Sequence, residues 1–238
     1  MSRSPARPFP PLVRQVSLEL EIAYCVGGVI SPLLANIYMN RFLKAWREGG
    51  KGERYHARIV NYADDFVILS RGEAEGALAW TRWAMGKLRL TLNETKTSIR
   101  NARRENFDFL GYTFGPQYLR TNGRWYLGAK PSKKSVARMR ERIREVLRPG
   151  NQGAWPEVCA RVNRIMRGWA NYFSYGSKSQ AYRAADEYVY HRVRQFLRRR
   201  HKVPSRGYRR FPAERVFGEL GILKLAASKG ASPPWALA

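Results

Sequence analysis

The chain has 238 residues, a formal net charge of +26 and a pI near 10.8. Leu, Ile, Val and Phe make up 22% of it, just above the ~20% below which a highly charged chain stays disordered. A folded core is therefore expected, and with it a polyanionic partner, nucleic acid ahead of an anionic membrane surface. Two distant cysteines, Cys25 and Cys159, exclude a disulfide framework and a Cys-rich zinc site. The basic N-terminus has no apolar stretch followed by a cleavage site, so a soluble, cytoplasmic protein is expected.

Residues 1–11 are rich in Pro, Arg and Ser and read as a disordered tail. Val16 to Ile22 alternates apolar with polar side chains, as a strand does. The 18 residues from Ile22 to Met39 carry no charge, but Gly27-Gly28 and Ser31-Pro32 argue for a loop and then a buried helix, not a membrane span. Ser31 serves as N-cap with Pro32 at the first helical position. Leu33, Leu34, Ile37, Tyr38, Phe42 and Leu43 supply that helix with an apolar face. Glu48 to Glu53 reads as a loop. Ala57–Tyr62 and Phe66–Ser70 flank Ala63-Asp64-Asp65 as a hairpin. Glu73–Leu90 is predicted helical. Leu92, Asn106–Phe114 and Arg124–Leu127 are predicted extended.

Near Lys130 the pattern changes to long helices. Residues 1–129 carry a net charge of +8 and residues 130–238 one of +18. Ser132 caps a helix running to about Leu147, and Pro149-Gly150 breaks it. Val158, Val162, Ile165, Trp169, Tyr172 and Phe173 form one stripe at helical spacing. Tyr182, Ala185, Val189, Val193 and Phe196 form another. The fold class is thus α+β, an antiparallel sheet with helices followed by an all-helical basic part.

Asp64 and Asp65 are the sharpest chemical feature. Adjacent carboxylates between apolar strands need a counter-charge if buried, and a pair of Mg²⁺ ions suits them, because hard cations take oxygen ligands. On its own the dipeptide also suits a polar hairpin turn. Trp169, Tyr172 and Phe173 suit either core packing or stacking on unpaired bases. Arg161, Arg164 and Arg167 fall on another face of the same helix. Together with Arg198, Arg199, Arg200, Lys202, Arg206, Arg209 and Arg210 they are expected to meet an RNA backbone. Asp108 and Asp186 are expected to be structural, and the two cysteines inert.

From Gly27 to about Leu225 the chain resembles the reverse transcriptase–maturases encoded by group II introns. Gly27-Gly28-Val29-Ile30-Ser31-Pro32 through Tyr38 is similar to a palm segment, and Tyr62-Ala63-Asp64-Asp65 to the polymerase metal motif. Leu92-Asn93 through Lys96-Thr97 resembles the next palm motif. Phe109-Leu110-Gly111-Tyr112-Thr113-Phe114 resembles the primer grip, and Lys130-Pro131-Ser132-Lys133-Lys134 the entry to the thumb. Gly168-Trp169-Ala170-Asn171-Tyr172-Phe173 resembles the maturase-specific region.

The resemblance implies a partial palm over 27–129, a thumb and maturase domain over 130–227, a divergent segment at 1–26 and a tail at 228–238. It implies Mg²⁺ on Asp64 and Asp65, nucleotide phosphates near Lys96, and a primer end held by Phe109, Leu110, Gly111 and Tyr112. Lys133 and Lys134 join the expected RNA-binding cations. The implied partners are group II intron RNA and primer–template nucleic acid, with no membrane.

Two departures qualify this. Val26 stands where the family has Gln. The family's third aspartate, from an upstream strand beyond a fingers subdomain, has no counterpart, since no aspartate precedes Asp64. Glu19 and Glu21 lie on the predicted strand in surroundings unlike that motif. The expected function is therefore that of an N-terminally truncated maturase that binds intron RNA in splicing and mobility of the element. Two alternatives stay open: an RNA-directed DNA polymerase completed by a separate fingers polypeptide, and a decayed fragment.

Overall fold

The computed structural model describes residues 14–21, 31–63, 65–119 and 122–226. The two predicted tails, the Gly27-Gly28 segment, Val26, Cys25 and Asp64 lie outside them. The described chain divides into two compact units. One draws on Met1–Phe109 with Gly115–Leu127, the other on Leu110–Phe114 with Gly128–Ala238.

The first unit is built on an antiparallel sheet. Its strands are β1 (Arg14–Glu21), β2 (Ala57–Tyr62), β3 (Asp65–Ser70), β4 (Thr91–Leu92) and β5 (Ser98–Asn101). They run in the order β2-β3-β1-β4, with β5 also pairing β1. The alternating sequence of β1 places Val16 opposite Ile68 and Leu18 opposite Phe66. Helices α1 (Ser31–Glu48) and α3 (Ala74–Lys87) complete the core, which centres on Met39, Phe42, Trp46, Phe66, Ile68 and Met85.

The buried stripe of α1 runs through Met39, Phe42 and Trp46. Leu33 and Ile37, expected on the apolar face, are exposed, because they lie off the side of the cylinder that these three residues define. A one-turn helix α2 (Lys51–Arg54) replaces the expected Glu48–Glu53 loop. It starts from Gly50, whose φ of 60° needs glycine's freedom.

Strands β6 (Phe107–Phe109), β7 (Tyr112–Tyr118) and β8 (Trp125–Pro131) form a second, three-stranded sheet. The single extended run expected over Asn106–Phe114 is broken, because Leu110 and Gly111 take φ of 48° and 76° and form a turn.

The second unit is a helical bundle of α4 (Lys133–Val146), α5 (Trp155–Tyr172), α6 (Ser179–Arg200) and the short α7 (Ala213–Phe217). Ser132 caps α4 by accepting the Ser135 amide at 3.1 Å. The periodic stripes read from the sequence are its core: Val158, Val162, Trp169, Tyr182, Ala185, Val189, Val193 and Phe196 are buried.

Past α7 the chain turns into an irregular segment held by side chains. The Trp155 indole donates to Leu220 O at 3.1 Å. Asn163 donates to Gly221 O at 2.8 Å and accepts Leu223 N–H at 2.8 Å. Buried Asp186 accepts the amides of Leu225 and Ala226, both at 2.8 Å, the structural role expected of it. Among the described residues no helix is long and apolar enough to cross a membrane.

Candidate nucleic-acid interface and carboxylate hairpin

The hairpin pairs Tyr62 with Asp65 across a two-residue connection. Such connections favour positive φ, and Ala63 adopts 54°. The Asn61 side-chain amide donates to Ala63 O at 2.8 Å and steadies the turn. Asp65 is half-buried at the head of a strand whose next three residues, Phe66, Val67 and Ile68, are buried. On its other edge that strand pairs with β1, and the residue in register with Asp65 is Glu19.

Asp65 and Glu19 thus occupy paired backbone positions on adjacent strands. Among the described residues no three acidic, His or Cys side chains converge as a metal site. Sequence reading set Glu19 aside because its neighbours do not fit the motif. The strand register, a long-range quantity, sets its backbone opposite Asp65.

Lys96 sits in the turn between β4 and β5. Asn93 organises that turn: its side-chain oxygen accepts the Thr95 amide at 3.1 Å, and its carbonyl accepts the Lys96 amide at 3.1 Å. Arg82 grips Glu94 in a two-pronged pair at 3.0 and 2.7 Å. This pair holds the Glu94 carboxyl below its usual range. The Lys96 side chain is exposed.

Of the expected primer-grip residues, Phe109 belongs to the first unit and Leu110, Gly111 and Tyr112 to the second. The latter three are locked in place. The Gly111 carbonyl accepts the Ser132 amide and the Ser135 hydroxyl, each at 2.9 Å. The Tyr172 hydroxyl donates to Leu110 O at 2.9 Å, and the Tyr112 hydroxyl donates to Tyr172 O at 2.7 Å. Burial pushes the Tyr112 phenol up. The turn is thereby tied to the start of α4 and the end of α5. Trp169 and Phe173 are buried, as core packing requires, whereas Tyr172 is exposed.

The expected cations of the helical unit are spread over its surface. Lys133, Lys134, Arg161, Arg164, Arg167, Arg199, Lys202, Arg206, Arg209 and Arg210 are exposed, and Arg198 is half-buried. Arg200 has a structural bond as well: it donates to Gly153 O at 2.7 Å and so holds the loop before α5.

Sequence reading named Lys133 and Lys134 but missed the arginines of α4. Arg138 and Arg142 are exposed, four residues apart and therefore on one face. With Arg164 of α5 they edge a cleft of about 550 Å³. The signal was in the sequence as an i,i+4 arginine pair, but only the α4–α5 packing shows that the pair faces Arg164. Arg194 was missed too. Its guanidinium stacks on Tyr208 with Cζ 3.3 Å from the ring centroid.

Two family comparisons bear on this arrangement. The family described as "Reverse transcriptase (RNA-dependent DNA polymerase)" matches residues 23–114, which include the hairpin and the β4–β5 turn. The family described as "Group II intron, maturase-specific domain" matches residues 136–216, the body of the helical unit. No curated protein matches the chain. With both matches in this order on one chain, over the elements just described, the protein belongs to the group II intron reverse transcriptase–maturases.

Proposed function

We propose that the protein binds structured group II intron RNA through its helical unit and favours the RNA's splicing-competent fold, with the RNA performing the chemistry. The observation that carries this reading is the surface of α4, α5 and α6, where exposed arginines far outnumber carboxylates. In α4 alone, Lys133, Lys134, Arg138, Arg140, Arg142 and Arg144 face only Glu141 and Glu145. A compact unit with this imbalance repels itself and gains free energy by releasing counterions from a phosphate backbone.

The test is binding of the full chain to a folded intron RNA across a salt series. Contact with six to ten phosphates gives a fall in affinity of about 10³–10⁵-fold between 50 and 200 mM salt. Salt-independent binding refutes the reading.

A second reading, RNA-directed DNA polymerisation, is favoured by the register of Glu19 with Asp65. Two-metal phosphoryl transfer needs carboxylates that hold two ions ~3.5–4 Å apart. In this reading Asp64, Asp65 and Glu19 hold Mg²⁺, which supplies charge stabilisation at the transferring phosphoryl group. Lys96 meets nucleotide phosphates, and Leu110 to Tyr112 position the primer end.

Primer extension by wild type and by Glu19→Gln decides between two forms of this reading. Activity lost in the variant supports Glu19 as the completing carboxylate. Activity seen only after adding a separate fingers polypeptide, and insensitive to Glu19, assigns that role to the added chain. A chain inactive under both conditions leaves RNA binding as its function.

A further inference from the structure

The cleft between α4 and α5 combines features that a merely solvated arginine face does not need. Its floor is apolar and aromatic: Met139, Ile165, Trp169 and Phe173 line it. Its volume of about 550 Å³ lies in the range of small-ligand sites. Its edge carries Arg138, Arg142 and Arg164, and no acidic side chain lines it.

Trp169 is nine-tenths buried, and its indole N–H, itself shielded from solvent, has no acceptor in the protein. Tyr172, exposed, stands at the same cleft with its hydroxyl held by Leu110 O. Arg142 and Arg164 also line a second cleft of about 620 Å³ that adds Arg148 and Arg161 and one carboxylate, Glu145.

We infer that this cleft takes one unpaired nucleotide of the bound RNA: its base lies against the exposed Tyr172 ring over the apolar floor, and its flanking phosphates lie on the arginine edge. The inference rests on the RNA-binding reading and sharpens it, because a fully paired helix has no base to offer. An apolar floor alone would suit a lipid or a peptide. Three cations in the lining with no carboxylate favour a ligand that is anionic along its length and flat in its side groups. Arg138 and Arg142 are separated by one helical turn, a rise of ~6 Å, so each can meet a different phosphate of one extended strand. The second cleft carries that strand onward past Arg148 and Arg161.

Gly168 makes the inference testable. It lines the cleft, and a Cβ built on it meets nothing within 4 Å. Gly168→Leu therefore fills the cleft without a backbone clash, and it raises local helix propensity.

The experiment measures binding of the full chain to three hairpin RNAs of equal phosphate count. One has an unpaired adenosine in the stem, one has an abasic site at that position, and one is fully paired. Stacking of one base predicts about 5- to 150-fold tighter binding of the adenosine RNA than of the other two. Gly168→Leu is expected to bring that ratio close to one while melting no lower than wild type.

Equal affinity for all three RNAs overturns the inference and leaves the RNA-binding reading standing. So does a Gly168→Leu variant that keeps the advantage. Failure of the wild type to bind any of the three overturns the RNA-binding reading itself.

Discussion

The turn at Gly111 ties the expected primer grip to two helices, and replacing that glycine measures how rigid the tie is. Gly111→Ala costs free energy in two ways. At φ 76° an L side chain is strained, by about 1–2 kcal/mol. The new methyl carbon would also lie 2.9 Å from Ser135 Oγ and 3.3 Å from the Phe173 ring. Neither neighbour can give way easily. The Ser135 hydroxyl donates to Gly111 O at 2.9 Å and lies 3.0 Å from the Ser132 hydroxyl. Phe173 is hemmed in by the rings of Tyr112, Tyr172 and Trp169 at centroid distances of 4.8, 4.8 and 5.2 Å. Overpacking of this kind costs about 1–3 kcal/mol.

Gly207 in the same unit supplies the control. Its φ of 78° is nearly the same, but a Cβ there meets Arg198 only at an ordinary 3.5 Å. Gly207→Ala should therefore cost the strain alone, about 1–2 kcal/mol. Gly111→Ala should exceed it by roughly 1–3 kcal/mol. Urea unfolding followed by tryptophan fluorescence gives both values. Equal losses in the two variants would show that Ser135 and Phe173 yield, and that the turn is not held as tightly as its contacts imply.

Ala63→Gly should stabilise the hairpin by up to about 1 kcal/mol, since it removes the left-handed strain at Ala63 but adds glycine's unfolded-state entropy; a lower melting temperature would contradict this. Asp186→Asn keeps the size of the side chain but forfeits a charge-assisted bond, a loss of about 1.5–3 kcal/mol. Hydrogen exchange should show the Leu225 and Ala226 amides opening first, and unchanged protection there would count against the clasp. Burial pushes the thiol of Cys159 and the phenols of Tyr112 and Tyr182 up. For a raised pKa the stabilisation is complete below the unfolded value and is lost as pH rises through the folded one. Stability of the helical unit should therefore hold to about pH 8.5 and decline above it as first the thiol and then the phenols titrate, and stability that rises with pH in this window would refute the assignment.

What was legible in the sequence was local. The hairpin around Asp64 and Asp65 announces itself through two short apolar runs. The bundle core announces itself through stripes at helical spacing, and Val158, Val162, Val189 and Val193 are all fully buried. Less legible were features set by partners far along the chain. The break at Leu110-Gly111 depends on hydrogen bonds to Tyr172, about sixty residues on. The pairing of Glu19 with Asp65 depends on which strand lies beside the hairpin. The arginine edge of the α4–α5 cleft needs two helices in contact before Arg138, Arg142 and Arg164 become one feature. Leu33 and Ile37 show the converse error, since a stripe can be drawn on the wrong side of a helix when its packing partner is unknown.

The clasp beyond α7 also bears on the order in which the chain can fold. Trp155 waits for a carbonyl 65 residues downstream, Asn163 for groups about 60 downstream, and Asp186 for amides about 40 downstream. As the chain leaves the ribosome, α4, α5 and α6 can coil through nearby contacts. Their indole, amide and carboxylate groups stay in water until residues 220–226 arrive. Synthesis adds roughly 5–20 residues per second, so these partners arrive seconds after the helices, which form in about a microsecond. The bundle should therefore pass through a loosely closed stage in which its cationic helices are already formed. At that stage the arginines on those helices still move, and closure of the clasp then fixes the frame that carries them.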